Sequence, residues 1–185
     1  DVYLMWPETE DNLKSLMKTM SDKAAKFNRK IDFGLRVHVV VRDTEEEARE
    51  YANSIISKLE IEKGTEIRER ALDSKSLGVS RQKKMRDLSK KDGYIEPNLW
   101  TGIGKGRSGC GAAIVGNPDQ VIDKLNKYME MGIRSFILSG YPHKEECKIF
   151  AKLVLPKLKT ISLLQEQNKM PVNEPLTPLA AGTRV

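Results

Sequence analysis

Short β-prone runs alternate four times with stretches whose apolar residues recur every third and fourth position, and this alternation constrains the fold most tightly. Residues 2–6 read as a strand that Pro7 stops. Leu13, Leu16, Met17, Met20, Ala24 and Phe27 then line one helix face. Residues 31–41 form the next strand, and its run of valines suits a parallel sheet buried on both faces. Asp43 or Thr44 caps the following helix, whose acidic first turn complements the helix dipole. A third strand covers 112–116; Asn117 and Pro118 start its helix and Gly132 ends it. Ile133–Ser139 is the fourth strand, and an amphipathic helix over 145–158 closes the series.

Strands that alternate with helices imply parallel βαβ units, hence an α/β fold. Four units cannot close a TIM barrel, which needs eight and about 250 residues. They suit half of such a barrel or a small open sheet. Residues 60–97 interrupt the pattern as a long insertion before the third strand. This insertion is charged, lacks strong periodicity and carries the basic residues Arg81, Lys83, Lys84, Arg86, Lys90 and Lys91. Short helices are possible within it, and it reads as a long, partly mobile excursion, because an insertion of this length inside a compact domain is usually functional or disordered. One α/β unit is therefore expected over 1–158, with an arm or disordered tail over 159–185, where Pro171, Pro175 and Pro178 break any periodic face. The first strand starts without a lead-in, which is expected of a segment of a longer chain.

The net charge of +6 comes with acidic and basic residues interleaved, so an ordinary solvated surface is expected rather than a nucleic-acid partner. Cys110 and Cys147 are too few for a disulfide framework and have no metal-type spacing. A reducing, cytoplasmic setting without a structural metal follows as the expectation. No apolar run approaches the ~18 residues of a membrane span.

Barrel enzymes place their chemistry at the C-terminal ends of the strands. Trp6 stands at the end of the first strand. Arg36 and His38 sit two apart in the second and share a face. Arg107 lies in a glycine-rich loop before the third, and Tyr141 and His143 follow the fourth. Guanidinium groups with tyrosine and histidine at one mouth would bind a tetrahedral oxyanion such as sulfonate or phosphate. Arg36 is hard to explain otherwise, since a buried arginine on an apolar strand needs a partner. His38 alone is more often a satisfied core histidine, while Trp6, Arg107 and Tyr141 equally suit rim packing or a solvated loop. The glycine-rich loop lacks the lysine pattern of a phosphate loop, so it points weakly to phosphate.

Three stretches resemble the alkanesulfonate monooxygenase branch of the bacterial luciferase-like family. They are Asp1-Val2-Tyr3-Leu4-Met5-Trp6, the run from Phe33-Gly34-Leu35-Arg36-Val37-His38 to Arg42-Asp43-Thr44, and the span from Asn98-Leu99-Trp100 to Gly140-Tyr141-Pro142-His143. The resemblance implies strands five to eight of a (β/α)8 TIM barrel, its C-terminal half. It also implies a two-component flavoprotein reaction: FMN, reduced by a separate NAD(P)H-dependent flavin reductase, and O2 convert an alkanesulfonate to aldehyde and sulfite. Trp6, Arg36, His38, Arg107 and Tyr141 fall on the family's active-site positions, with His143 a weaker candidate. On that resemblance the arginines hold the sulfonate or stabilise the anionic peroxyflavin. His38 and Tyr141 hydrogen-bond or move protons, Trp6 and Tyr141 touch the cofactor, and the insertion matches a mobile loop that closes over the site. The family's first four strands carry much of the flavin pocket and are absent here, so this chain alone is expected to be inactive without the N-terminal half of the barrel. The alternatives are another luciferase-like enzyme with a different substrate, or a non-catalytic half-barrel that self-associates through its sheet edges. A monomer by light scattering would exclude the last.

Overall fold

The computed structural model describes all residues except 73–75, 107–108, 162–167 and 169–185, with the backbone alone at 61, 68, 71 and 72. Its elements follow the βα alternation. Strand β1 (Val2–Met5) leads to helix α1 (Glu10–Ala25), and strand β2 (Asp32–Val41) leads to α2 (Glu45–Ile56). Helices α3 (Ile61–Leu72) and α4 (Leu77–Leu88) come next, followed by short strands β3 (Tyr94–Glu96) and β4 (Leu99–Trp100). A 3-10 turn over Gly102–Lys105 leads to β5 (Ala113–Gly116), α5 (Pro118–Glu130), β6 (Ile133–Ser139) and α6 (His143–Leu153).

The starts of α2 and α5 are set locally. Thr44 accepts from the Glu47 amide while Glu47 reaches back to the Thr44 amide. Asn117 and Gln120 make the same reciprocal pair, with Pro118 in the first turn. Gly132, at a φ of 102°, ends the α5 unit as expected.

The long β2 is the spine of the sheet. Strand β1 pairs parallel with its first half, Val2 opposite Asp32 through Met5 opposite Leu35. Strand β5 pairs parallel with its last residues, His38 opposite Ala113 through Val41 opposite Gly116. Strand β6 runs parallel along Phe33 to His38. Because His38 is opposite both Ala113 and Ser139, β5 and β6 lie on opposite edges of β2. Strands β1 and β5 share one edge of the ten-residue β2, each covering part of it, and β6 takes the other edge. These parallel strands and their helices are the expected α/β half-barrel.

Strand parity sorts the side chains. Phe33, Leu35, Val37, Val39 and Val41 join the core formed with Leu13 and Met17 of α1 and Val121, Leu125 and Tyr128 of α5. The even residues of β2 face the other way. A Cβ built on Gly34 would lie 3.0 Å from Val2, 3.1 Å from Leu4 and 3.4 Å from Ser135, which places these residues on the same, concave face. Leu4 and Ile137 are 47% and 48% exposed, so this face is open.

The insertion contains the short helices α3 and α4 and the strand β3, and β4 after it pairs antiparallel with both β3 and β5. Helix α4 escapes periodicity analysis because its buried residues are Gln82 and Met85, while Leu77 and Leu88 are exposed. A three-way ion pair secures the segment: Lys124 of α5, 3% exposed, reaches Glu10 of α1 at 2.6 Å and Glu96 of β3 at 3.0 Å. Glu96 also accepts from the Glu10 amide at 2.8 Å, satisfying a free donor at the start of α1. Most of the expected C-terminal arm lies outside the described residues.

Candidate active site

Arg36 and His38 share the face of β2 that turns away from the α1–α5 core. His38 is 1% exposed, and its Nδ1 lies 2.7 Å from the Ser139 hydroxyl of β6. That contact follows from the register, since the two residues are opposite each other. Two residues beyond Ser139, the Tyr141 ring stands 5.4 Å from the His38 ring and 4.8 Å from that of His143. Four polar side chains thus gather where β2 and β6 end.

Arg36 is half-buried, and its Nε is buried with no hydrogen-bond partner among the described residues. A buried guanidinium nitrogen without an acceptor is costly, and an anionic ligand would satisfy it. The Arg36 carbonyl accepts from the Cys110 thiol at 3.2 Å, so the glycine-rich loop packs directly on this part of β2.

Trp6 occupies the neighbouring position at the end of β1. A Cβ on Gly78 of α4 would come within 2.9 Å of its indole, and one on Gly109 within 3.4 Å. The ring therefore sits between α4 and the glycine-rich loop. Arg107 lies outside the described residues, although Gly109 beyond it is held against Trp6.

Three contributors escaped sequence reasoning. Ser139 is legible only once the β2–β6 register is known. Gln82 of α4, 2% exposed, donates to the Pro7 carbonyl at 2.7 Å and accepts from the Gly111 amide at 3.0 Å. One buried amide therefore ties the end of β1 to the glycine-rich loop. Glu8, 9% exposed, faces Arg81 of α4 at 3.7 Å. Burial pushes its carboxyl above the usual carboxylate value, and Arg81 only partly offsets this.

The Glu8 shift fixes a sign. A carboxyl whose pKa rises on folding favours the folded state while protonated, and that contribution is lost as pH rises through the folded pKa. Glu8→Gln keeps the neutral form at all pH values. Thermal melts should show it more stable than the native chain at pH 7, with the difference vanishing below about pH 4.5. A lower melting temperature at pH 7 would show that the Arg81 pair outweighs the burial cost.

Among the described residues no cluster of three or more metal-binding side chains occurs. No helix among them is long and apolar enough to cross a membrane. The polar groups that the structure brings together at the ends of β2 and β6 are Arg36, the His38–Ser139 pair, Tyr141 and His143.

Comparison with known proteins fits this geometry. The chain is 58% identical over 184 residues to a sulfoquinovose monooxygenase of Agrobacterium fabrum, matching 100% of its own length and 48% of the relative. A sulfoquinovose monooxygenase of Novosphingobium aromaticivorans is 56% identical over 158 residues, covering 85% of this chain and 44% of that protein. The chain thus spans about half the length of the curated relatives it matches. Among solved structures, the long-chain alkane monooxygenase LadA superposes with a TM-score of 0.57 at 21% identity, over 94% of this chain and 38% of that one. DmoA from Hyphomicrobium sulfonivorans gives 0.57 at 15% identity, over 92% and 38%. At such identities the likeness is one of fold. Residues 1–135, which hold β1, β2, β5 and the Arg36–His38 face, match the family described as Luciferase-like monooxygenase, and to this family the chain belongs.

Proposed function

We propose that this chain forms the anion-binding part of a flavin-dependent monooxygenase that releases sulfite from an organosulfonate. The observation that carries the reading is the buried Nε of Arg36, without a hydrogen-bond partner among the described residues, beside the His38–Ser139 pair. A sulfonate carries three oxygens arranged tetrahedrally around sulfur, two of which can meet a guanidinium fork, and would supply the missing partner. The relatives' name favours sulfoquinovose, a sulfonated sugar, as the substrate; simple alkanesulfonates are the alternative class.

The roles follow from position. Arg36, with Arg107 from the glycine-rich loop, would hold the sulfonate. His38, oriented by Ser139, and Tyr141 would donate hydrogen bonds or move a proton at the reacting end of the substrate. His143 would close the rim. The open concave surface of Leu4 and Ile137, with Trp6 and Tyr141 at its mouth, fits the flat, largely apolar ring of a flavin. Reduced FMN, supplied by a separate NAD(P)H-dependent reductase, would provide the activation of O2; the residues here bind, orient and exclude water.

Replacing the equivalent half of the Agrobacterium fabrum protein with this chain tests the reading. With FMN, NADH and a flavin reductase, the assembled enzyme should release sulfite from sulfoquinovose faster than from short alkanesulfonates. Flavin oxidation without sulfite from either substrate class would refute the reading; faster release from alkanesulfonates would reverse the substrate assignment alone.

A further inference from the structure

We propose that Tyr51, seated by Arg42 and Glu146, is a positioning residue that holds the Tyr141 ring over His38. This assignment rests on the functional reading above for its consequence in catalysis, while its structural content stands separately.

The loop 140–143 is held at several points by residues outside the candidate site. The Tyr51 hydroxyl of α2 donates to the Tyr141 carbonyl at 3.0 Å. The Glu146 amide donates to the Pro142 carbonyl at 3.0 Å. Glu146 also packs so closely on Gly140 that a Cβ there would fall 2.5 Å from its own Cβ. Only glycine lets α6 approach the end of β6 this closely.

Arg42, directly after β2, joins these holds into one unit. Its guanidinium makes a two-point contact with the Glu146 carboxylate, at 2.7 and 3.1 Å. The same group donates to the Val41 carbonyl at 2.6 Å and lies 3.6 Å from the centre of the Tyr51 ring. Glu146 is 5% exposed, so this pair is shielded and geometrically fixed. Burial, with the Glu146 carboxylate close by, pushes the Tyr51 phenol above its ordinary value, so its hydroxyl keeps the proton it donates. The chain of contacts runs from the end of β2, through α2 and α6, to the backbone of the residue whose ring stands over His38. A fork-shaped cation is what the arrangement requires, since one guanidinium meets the Glu146 carboxylate at two points and the Tyr51 ring.

The chain carries its own reporters. It has two histidines, His38 and His143, and the Tyr141 ring stands next to both. The ring current of Tyr141 therefore displaces both imidazole proton resonances. Proton NMR of the 185-residue chain compares the native protein, Tyr51→Phe, Arg42→Lys and a Tyr141→Leu reference that removes the ring altogether. In Tyr51→Phe both histidine signals should move most of the way to their positions in the reference, while the signals of buried Trp100 stay in place. Arg42→Lys keeps the charge but loses the fork and should move them in the same direction. Histidine signals that stay at their native positions in both variants overturn the assignment.

In the assembled enzyme, Tyr51→Phe should lower kcat about fivefold with little change in KM. An unchanged kcat in an otherwise active enzyme also overturns it. If the native assembly releases no sulfite, the functional reading fails, and the histidine signals still decide whether Tyr51 positions Tyr141.

Discussion

Arg36→Met in the assembled enzyme should lower kcat/KM for the sulfonate by about 100-fold or more, with the thermal stability of the chain unchanged or raised. The two halves of this expectation share one cause. In the free protein the Arg36 Nε is buried without a partner among the described residues, so the guanidinium is held at a cost rather than as a support. A bound sulfonate would convert that cost into charge-assisted hydrogen bonds, each contributing on the order of 1.5–3 kcal/mol. Losing two such bonds gives about 3 kcal/mol or more, and each 1.4 kcal/mol is about tenfold in rate. Methionine fills similar space without a donor. Lysine at this position retains the charge but not the planar fork, so Arg36→Lys should recover only part of the lost activity. Steady-state sulfite release paired with thermal melts checks both halves. A variant with normal kcat/KM, or one that melts well below the native chain, would assign Arg36 to structure instead.

Lys124→Met should produce the largest loss of stability among single substitutions at charged positions, about 3 kcal/mol. The ammonium is buried and serves Glu10 and Glu96 together, and removing it leaves two partly buried carboxylates facing one another. The partners keep some contact with water, which holds the loss near the lower end of the range for broken buried pairs. For a chain of this size the melting temperature should fall by roughly 6–12 °C. The pH dependence follows from Glu10. Its hydrogen bond from Lys124 holds its carboxyl below the ordinary value of 4.5, more than burial raises it. A depressed pKa contributes stability above about pH 4.5 that is lost as pH falls through the folded value. The gap between native and Lys124→Met chains should therefore narrow as pH drops below that point. A gap that is constant with pH would show that packing of the lysine stem, rather than its charge, sets the effect.

How much of this was legible beforehand depends on what each element rests on. Strands β1, β2, β5 and β6 and helices α1, α2, α5 and α6 rest on local apolar patterns, and the Thr44 and Asn117 caps are local too, so the residues announce them. Pairing order is not local: no residue pattern in β6 states that it lies beside β2, on the edge opposite β5. Helix α4 was hidden because a glycine, a glutamine and a methionine form its packed side, and no hydrophobicity scale reads Gly78 and Gln82 as a face. The site shows the same division. Arg36, His38 and Tyr141 stand out as polar residues at strand ends, and the structure brings His38, Tyr141 and His143 together. Ser139 and the Tyr51–Arg42–Glu146 unit act through register and through contacts across about a hundred residues of chain, which no local pattern encodes. The insertion shows no strong periodicity, and no local pattern reveals that its Gln82 forms a buried link between β1 and the glycine-rich loop.

If the concave face around Arg36 and His38 receives the sulfonate, a crystal structure of the assembled enzyme with a bound organosulfonate should show sulfonate oxygens within hydrogen-bond distance of the Arg36 guanidinium, with the His38 and Tyr141 rings against the carbon that bears the sulfur. A sulfonate bound elsewhere, with Arg36 paired to a protein carboxylate from the other half of the barrel, would contradict it.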